Sequence, residues 1–383
     1  MKTKVKYINI FFSLYFFMYI SGLALPFIYS LLRYFEKGFI ALVRRHVLLL
    51  FLFGLYLTSL LLSVRFDFFT TERFLASLHN IVVAAFIPVG YYIGQNREAS
   101  GKSIKIFFVF VILVLIPYIG FSFYREMNWS YHGLLSFLSE NKYTKVVFSV
   151  PYFIGNFKFS RIHFLAPYAT ASAFYLIALN TYRSVVKKTL KVDYIDFFLL
   201  VITVFTAARF LLIIIIVQLL LKVLTRSYAI KQLVIILFPI IILVGIDIAF
   251  LILESRQGSN NTRLRIYEES FKMMLKESPF IGIGIKPRMP DILGIYPMGS
   301  HSTLNTIFYK TGILGGLVFL YIYLKTFLKR IKKIFNGWLS KDRELIYISV
   351  SQLLFLIAIL FEDLDADEFY AFCFGLVLGM RKK

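Results

Sequence analysis

The sequence predicts an all-α, polytopic membrane protein, and three observations support this fold class. Of the 383 residues, 59% are hydrophobic and only 17% are charged, with a mean hydropathy of +0.74. A water-soluble domain does not bury that much apolar surface in one core. Apolar runs long enough to cross about 30 Å of hydrocarbon recur along the chain. Between them, Lys and Arg gather in short blocks, which is typical of cytoplasmic loops.

Eleven apolar windows qualify as membrane-spanning helices within a single integral membrane domain, 1–383. They cover approximately residues 7–32, 46–63, 74–94, 104–123, 163–180, 194–208, 210–224, 232–253, 303–324, 345–361 and 369–380. Lys2 and Lys4 favour a cytoplasmic N-terminus, whereas one crossing by 7–32 places them outside. Either a further crossing lies around residues 26 to 43, or the first segment breaks the rule. We therefore expect eleven or twelve crossings and favour twelve.

The basic blocks alternate with charge-balanced or acidic loops, so we place the blocks in the cytoplasm. The net charge of +22 arises from these blocks, and we therefore expect a membrane lipid partner and no nucleic acid. Two predicted extracytoplasmic loops, 124–162 and 254–302, are much longer than the others. Long loops on one face usually carry function. The second loop contains an amphipathic surface helix at about 263–277, with possible N-caps at 260–262.

Metal and cofactor sites are not predicted. The single cysteine, Cys373, lies in an apolar segment, which leaves no disulfide framework and no cysteine metal site. The outer turn 362–368 contains five acidic residues. Such a turn either holds a divalent cation or keeps the last helical hairpin correctly oriented, and the sequence does not decide between the two.

Arg209 interrupts an apolar stretch that runs from Tyr194 to Leu224. The stretch is long enough for two short crossings with a tight turn, which places Arg209 at the outer membrane boundary. A cation at that depth usually has a partner in a cavity. The alternative is an arginine that reaches outward to the phosphates of lipid headgroups.

Arg263 and Arg265 fall in the first turn of the predicted surface helix, where the helix dipole disfavours positive charge. An anion compensates such an arrangement, and free backbone N–H groups with guanidinium groups form a phosphate site. Glu268 and Glu269 are alternative partners of Arg265 at helical spacing. Arg263 has no acidic residue three or four positions ahead, so we favour a functional role for it.

His301 precedes a membrane span at the end of the second long loop. Histidine is the side chain best suited to act as a general base near neutral pH. A lone histidine at this position also suits binding to lipid headgroups or capping of a helix. The location of His301 on the same face as the arginines favours a catalytic role.

Three stretches occur in an order that matches a known family. They are Thr206-Ala207-Ala208-Arg209, then Arg263-Leu264-Arg265-Ile266-Tyr267 with Ser278-Pro279-Phe280-Ile281-Gly282-Ile283-Gly284, and finally His301-Ser302-Thr303-Leu304 with Gly312-Ile313-Leu314-Gly315. The set resembles the bacterial O-antigen polymerase and O-antigen ligase superfamily over residues 160 to 330. Each stretch is degenerate by itself, and the specificity comes from their order on a multispanning chain.

The resemblance implies a GT-C-like glycosyltransferase in the bacterial cytoplasmic membrane, with its active site facing the periplasm or cell exterior. Such an enzyme moves a sugar chain from undecaprenyl pyrophosphate to an acceptor hydroxyl, without a nucleotide sugar or a metal. By position, Arg209 and Arg263 would clamp the pyrophosphate, and His301 would activate the acceptor. Arg265, Tyr267 and Arg161 are expected to bind substrate. The resemblance thus implies that the catalytic groups meet around a diphosphate.

Two departures favour a repeat-unit polymerase over a ligase. Ser302 follows His301 where many ligases have asparagine, and Tyr267 stands where tryptophan is common. The expected products are O-antigen, capsular or related polysaccharides, and possible partners are a chain-length regulator and a flippase. The competing classes are an O-antigen ligase, an oligosaccharide-lipid transporter and a non-catalytic assembly partner. A transporter typically shows internal repeats and charges near the midplane, and neither pattern occurs in this sequence.

Overall fold

A computed structural model gives the fold. The structure describes residues 25–97, 104–105, 108–109, 112, 147–152, 155–160, 169–188, 190–205, 209–224, 257–288, 297–362, 364 and 368–382. Within these ranges the chain is mostly helical, as predicted. Helices α1 to α11 span Leu25–Val43, Leu48–Leu62, Thr71–Ala84, Phe86–Asn96, Ala169–Val186, Tyr194–Phe205, Arg209–Leu224, Gln257–Glu277, Thr303–Leu339, Arg343–Ala358 and Glu368–Gly379. A 3-10 turn, Ser63–Arg65, follows α2.

Two short strands lie inside the predicted first outer loop. Strands β1, Val147–Tyr152, and β2, Gly155–Ser160, pair antiparallel, with Val147 opposite Ser160. The sequence did not predict this hairpin. An alternating pattern over so few residues is a weak signal beside the long apolar runs of the membrane helices.

Three helical stretches in the described part of the chain are long and apolar enough to cross a membrane. They are Leu48–Arg65 with 18 residues, Thr71–Asn96 with 26 residues and Thr303–Leu339 with 37 residues. They coincide with predicted spans and confirm a polytopic membrane protein. The count of eleven or twelve crossings and the GT-C-like fold stay predictions. The predicted span at 232–253 lies outside the described residues, and so does most of the predicted span at 104–123.

Several helices expose large apolar side chains and bury polar ones. Leu61 of α2 and Leu317 of α9 are exposed, whereas Ser349, Ser351 and Gln352 of α10 are fully buried. Apolar side chains on the outside and polar side chains on the inside are favourable when the surrounding solvent is lipid. The exposed apolar surface therefore agrees with the membrane location.

The described chain divides into two compact units. The first contains residues 1–38, 86–222 and 367–383, and the second contains residues 39–85 and 223–366. Helices α4 to α7 and α11 belong to the first unit. Helices α2, α3, α8, α9 and α10 belong to the second, which also contains the loop that carries His301.

In the first unit, α4 and α11 pack with their backbones in contact. Each helix carries two glycines four residues apart, Gly90 and Gly94 in α4 and Gly375 and Gly379 in α11. A methyl group added at Gly375 would overlap the carbonyl oxygen of Ile87. Pairs of small residues at this spacing let membrane helices approach closely and gain dispersion energy. The sequence pattern did not predict this contact.

Helices α5, α6 and α7 of the first unit share a buried network of charged and amide groups. The Nζ of Lys222 lies 2.7 Å from Oδ1 of Asp196, and Asn180 Nδ2 donates to the same oxygen at 2.6 Å. The guanidinium of Arg183 donates twice to Asp193, at 2.7 and 3.0 Å. Each charge is thus paired and hydrogen-bonded, which is the condition for burying it.

In the second unit, helix α9 is interrupted at Gly312, whose φ of 67° and ψ of −167° are not helical. A neighbouring segment, residues 279–283, pairs with the interrupted turn. Ile283 N donates to Tyr309 O at 2.9 Å, and Ile313 N donates to Pro279 O at 2.8 Å. Unpaired backbone groups cost several kcal/mol in hydrocarbon, so this segment replaces bonds that the helix lacks.

Close packing explains the glycines of this segment. Gly282 has a φ of 75°, and a side chain there would overlap the backbone of Gly312. The next residue, Ile283, is fully buried in an apolar cluster that includes Leu60 and Met274. The predicted turn at the Ser278–Gly284 motif is therefore a segment that packs along a membrane helix.

Helix α8 corrects one expectation. The sequence predicted a start at 260–262, but the helix begins at Gln257, so Arg263 lies in its second turn. A cap residue stabilises a helix start by only about 1 kcal/mol, and tertiary packing overrides that preference. Ile266 and Met274 are fully buried, whereas Leu264 and Phe271 are exposed on the other side.

We predict that Gly375→Ala destabilises the protein and that Gly54→Ala does not. A methyl group at Gly375 forces two helix backbones apart, which costs about 1–3 kcal/mol as overpacking. At Gly54 no atom lies within 4 Å of the added methyl group, so only the helix propensity of alanine acts. The measurement is thermal unfolding in detergent, and equal midpoints for the two variants would contradict the proposed backbone contact.

We predict that Lys222→Met lowers the free energy of unfolding by about 3–5 kcal/mol, because it leaves the buried carboxylate of Asp196 without its cation. The control is Lys272→Met, which removes an exposed lysine 2.7 Å from Glu268 and should change little. Adding Asp196→Leu to Lys222→Met should recover part of the loss. If Lys222→Met and Lys272→Met lowered the free energy of unfolding by similar amounts, burial of the ion pair would not explain the loss.

Candidate functional site

The candidate site lies in the second unit, where residues 297–302 lead into α9. The loop is held from two sides. Gly299 N donates to Ser270 Oγ of α8 at 2.7 Å, and Thr306 Oγ1 of α9 donates to Gly299 O at 2.5 Å. These bonds fix the backbone immediately before His301.

His301 itself adopts a left-handed backbone conformation with a φ of 65°. This conformation is unfavourable for a residue with a side chain and is found mainly where surrounding structure enforces it. The hydroxyl of Tyr267 donates to the carbonyl oxygen of His301 at 2.7 Å. Ser302 then caps α9 by accepting a bond from Asn305 N. The backbone at His301 is thus fixed by contacts with both helices.

The imidazole of His301 is neutral at neutral pH. Burial lowers its pKa from 6.5 to about 4, and the positive charges of Arg263 and Lys286 contribute in the same direction. A neutral imidazole can accept a proton. The arrangement therefore provides a proton acceptor on which the charges of two cations act.

Arg263 projects from α8 and is half-buried. Its Nη1 donates to Phe361 O at 3.4 Å, and its charge acts on His301. Arg263 lies in the second helical turn and not in the first, where backbone N–H groups are free, and its predicted binding of phosphate stays a prediction. The guanidinium group still provides positive charge beside the imidazole.

The other two predicted site residues of α8 lie nearby in the chain. Arg265 is exposed, and its predicted alternative partners Glu268 and Glu269 contact Lys272 at 2.7 and 3.4 Å. Tyr267 uses its hydroxyl to hold the main chain of His301. The contact gives Tyr267 a positioning role, and its expected binding of substrate stays a prediction.

The predicted placement of two site residues is not tested by the described structure. Arg209 is the first residue of α7 in the first unit, and its side chain lies outside the described part of the chain. Arg161 also lies outside the described residues. The predicted meeting of Arg209 with Arg263 and His301 stays a prediction.

The sequence pattern did not predict a role for Lys286. It is 8% exposed, and its Nζ donates to Thr306 Oγ1 at 3.3 Å. The only sequence signal is a lysine two residues after the Gly282–Gly284 motif, in a segment that otherwise reads as apolar. Lysines are too common at membrane boundaries for that signal to stand out.

The acidic turn 362–368 contacts the start of α9 through its backbone. The carbonyl oxygen of Glu362 accepts bonds from Thr303 N at 3.0 Å and from Thr303 Oγ1 at 2.7 Å. Three of the five acidic residues of the turn lie outside the described residues. Within the part of the chain that the structure describes, no group of three or more His, Cys, Asp or Glu side chains could hold a metal ion. A cation at the turn stays an open alternative.

Comparison with known proteins places this geometry in context. Residues 148–320 match the family model described as O-Antigen ligase. The match confirms the resemblance to the O-antigen ligase and polymerase superfamily. No curated protein and no solved structure matches the chain. The matched region contains Arg209, Arg263, Lys286 and His301, and the superfamily indicates a membrane enzyme of the glycan-joining, ligase or polymerase kind.

We predict that kcat/KM for glycan transfer stays level from pH 7.5 down to about 5, because the lowered pKa keeps His301 unprotonated there. An acid limb centred near 6.5 would contradict this. An unfolded chain takes up a proton at His301 below pH 6.5, so the folded state loses stability as the pH falls towards 4. Activity is also measured after acid-treated samples are returned to pH 7. Activity that returns indicates protonation of His301, and activity that stays lost indicates unfolding.

Proposed function

We propose that the protein is a polymerase that joins undecaprenyl-pyrophosphate-linked oligosaccharide repeat units into O-antigen, capsular or related surface polysaccharide. The reaction takes place on the outer face of the cytoplasmic membrane. The observation that carries the proposal is the family match over 148–320, which includes all three motif regions. The neutral imidazole of His301 beside Arg263 supplies the chemistry that such a transfer needs.

The proposed reaction is a displacement at the anomeric carbon. The acceptor hydroxyl forms the new C–O bond and gives its proton to His301, while the bond to the pyrophosphate breaks and its electron pair moves to the departing oxygen. Arg209 and Arg263 stabilise the negative charge that develops there. Attack from the face opposite the leaving group inverts the anomeric centre.

Other residues have supporting roles in this proposal. Tyr267 positions His301 through its main chain, and Arg265 and Arg161 bind the phosphate or sugar groups of the substrate. A chain-length regulator and a flippase are proposed partners, because repeat units would have to cross the membrane before polymerisation and a regulator would set the number of units joined.

An O-antigen ligase is the second candidate, since the family model carries that description. Both enzymes use the same donor chemistry and differ in the acceptor, which is a second lipid-linked glycan for a polymerase and a lipid core for a ligase. Ser302 and Tyr267 favour the polymerase, because these positions depart from the residues common in ligases.

We predict that Arg209→Ala, Arg263→Ala and His301→Ala each abolish long-chain glycan in the producing cell while single repeat units remain attached. The physical reason is loss of charge stabilisation or of the proton acceptor, each of which lowers the rate by about 10²-fold or more. The measurement is the length distribution of the surface glycan on gels, with expression level verified. Lys276→Ala, an exposed lysine of α8, serves as the matched control.

The pattern of loss distinguishes the candidate functions. Loss of every attached repeat indicates a ligase, and accumulation of lipid-linked units on the cytoplasmic face indicates a transporter. A normal length distribution in all three variants at normal expression would refute the catalytic assignment.

A further inference from the structure

Two arginines from separate segments of the second unit meet at the start of α3. Arg288 belongs to the segment that leads to His301, and its Nη2 lies 4.0 Å from Oε1 of Glu72 in the first turn of α3. Arg73 is the next residue of the same turn and is half-buried. Arg288 lies in the predicted second extracytoplasmic loop, so the pair belongs to the face on which the proposed reaction takes place.

The charges in this cluster do not balance. The carboxylate of Glu72 attracts Arg73, but the repulsion between Arg288 and Arg73 is the stronger of the two interactions. Glu72 is 80% exposed and Arg288 is 59% exposed, and an ion pair that is so accessible to water contributes little. A bound anion that bridges the two guanidinium groups would remove the repulsion between them.

The backbone of both arginines is held in place. The side chain of Thr70 caps α3 by accepting a hydrogen bond from Arg73 N at 3.2 Å. The backbone of Arg288 pairs with that of Pro297 in an antiparallel bridge. The guanidinium groups therefore extend from fixed positions, which lowers the entropy that is lost when they bind a ligand.

Exposed apolar side chains continue from this cluster along α3. Leu75 lies three positions after Glu72, and Val82 lies seven positions after Leu75, so the three residues share one face of the helix. Both apolar side chains are exposed. Such a face beside two cations suits a ligand that has a phosphate group at the membrane boundary and a hydrocarbon tail in the lipid.

We propose that Arg73 and Arg288 bind the diphosphate of the acceptor, which is a second polyprenyl-linked oligosaccharide. The inference rests on the proposed function and deepens it, because it names the residues that recognise the acceptor. A guanidinium group binds phosphate oxygens through a planar fork, and two such groups suit the two phosphates of one diphosphate. A phospholipid headgroup offers a phosphate of the same chemistry, and the experiment below separates these two sources.

The connection to the loop of His301 limits the separation between this cluster and the imidazole. Paired Cα atoms in an antiparallel bridge are about 5 Å apart, and the chain from Pro297 to His301 spans at most about 14 Å. The Cα atoms of Arg288 and His301 are therefore no more than about 20 Å apart. An oligosaccharide of several sugar rings covers this separation. Its diphosphate binds the arginines while its terminal hydroxyl reaches the imidazole.

A second diphosphate site bears on the choice between the two candidate functions. A polymerase joins two glycans that are both linked to polyprenyl diphosphate, so it needs a site for each diphosphate. The acceptor of a ligase is a lipid core and has no polyprenyl diphosphate. The proposed role of Arg73 and Arg288 is therefore specific to a polymerase.

The test uses the purified full chain in phosphatidylcholine nanodiscs with two synthetic substrates. The donor is a fluorescent polyprenyl-diphosphate oligosaccharide whose accepting hydroxyl is methylated, so it only donates. The acceptor is the unlabelled oligosaccharide on polyprenyl diphosphate. The double variant Arg73→Gln with Arg288→Gln should raise the acceptor KM by about 10-fold or more, because charge-assisted hydrogen bonds are lost. The donor KM and the kcat at saturating acceptor should not change.

Glu72→Gln distinguishes ligand binding from a structural ion pair. If the arginines bind an anion, this variant should lower the acceptor KM, because a competing negative charge is removed. If the arginines only stabilise the fold through Glu72, the variant should impair transfer in the same way as the double variant, which would overturn the inference. Lys276→Gln removes an exposed lysine of α8 and should change neither KM.

The lipid composition separates the two sources of phosphate. A raised acceptor KM of the double variant in phosphatidylcholine alone supports binding of the acceptor diphosphate. A defect that appears only after phosphatidylglycerol is added would indicate an anionic headgroup and would overturn the inference. An unchanged acceptor KM in the folded double variant would overturn it as well.

Parallel variants separate this inference from the proposed function. If Arg263→Ala and His301→Ala retain transfer, the proposed function fails. If those two lose transfer while the double variant keeps the acceptor KM of wild type, the proposed function stands and only the second diphosphate site is wrong.

Discussion

The architecture of the candidate site depends on one backbone arrangement, the pairing of residues 279–283 with the interruption of α9 at Gly312. In lipid a helix cannot open without replacement partners for its N–H and C=O groups. The bonds of Ile283 and Pro279 supply those partners and fix the segment that continues to Lys286. Glycine is needed at 282 and 312 because the two backbones touch. The need to pair backbone groups in lipid thus fixes the segment that carries Lys286.

The loop of His301 is also held by contacts with α8 and α9. Its backbone forms hydrogen bonds with Ser270 and Tyr267 of α8 and with Thr306 of α9. These contacts enforce a left-handed conformation at a residue with a side chain. The unfavourable backbone is balanced by hydrogen bonds from both helices, which is how proteins maintain strained residues at functional positions. The backbone that carries the imidazole is therefore held by both helices.

The sequence predicted the features that depend on long apolar runs and on individual charged residues. The spans at 46–63, 74–94 and 303–324 have helices in the structure, and the family resemblance found through Arg209, Arg263 and His301 is confirmed by the family match. The start of α8 was predicted wrongly, because Asn260 and Asn261 are good caps that tertiary packing placed inside the helix.

Features that depend on contacts between distant segments were not predictable from the sequence. The glycines at 90, 94, 375 and 379 have meaning only when α4 and α11 are known to be neighbours. Lys286 donates a hydrogen bond to Thr306 and its charge acts on His301. These two residues follow it by 20 and 15 positions in the chain. No local pattern encodes such proximity, since each residue type is ordinary at its own position.

The length of α9 has a consequence for where the chemistry takes place. From Thr303 to Lys325 the helix rises about 33 Å, close to the thickness of the hydrocarbon layer. Lys325 opens a basic segment that anionic headgroups attract to the opposite membrane surface. The length of this part of α9 therefore sets the distance between His301 and the basic segment along the helix axis. Inserting or deleting one turn would change that distance by about 5 Å.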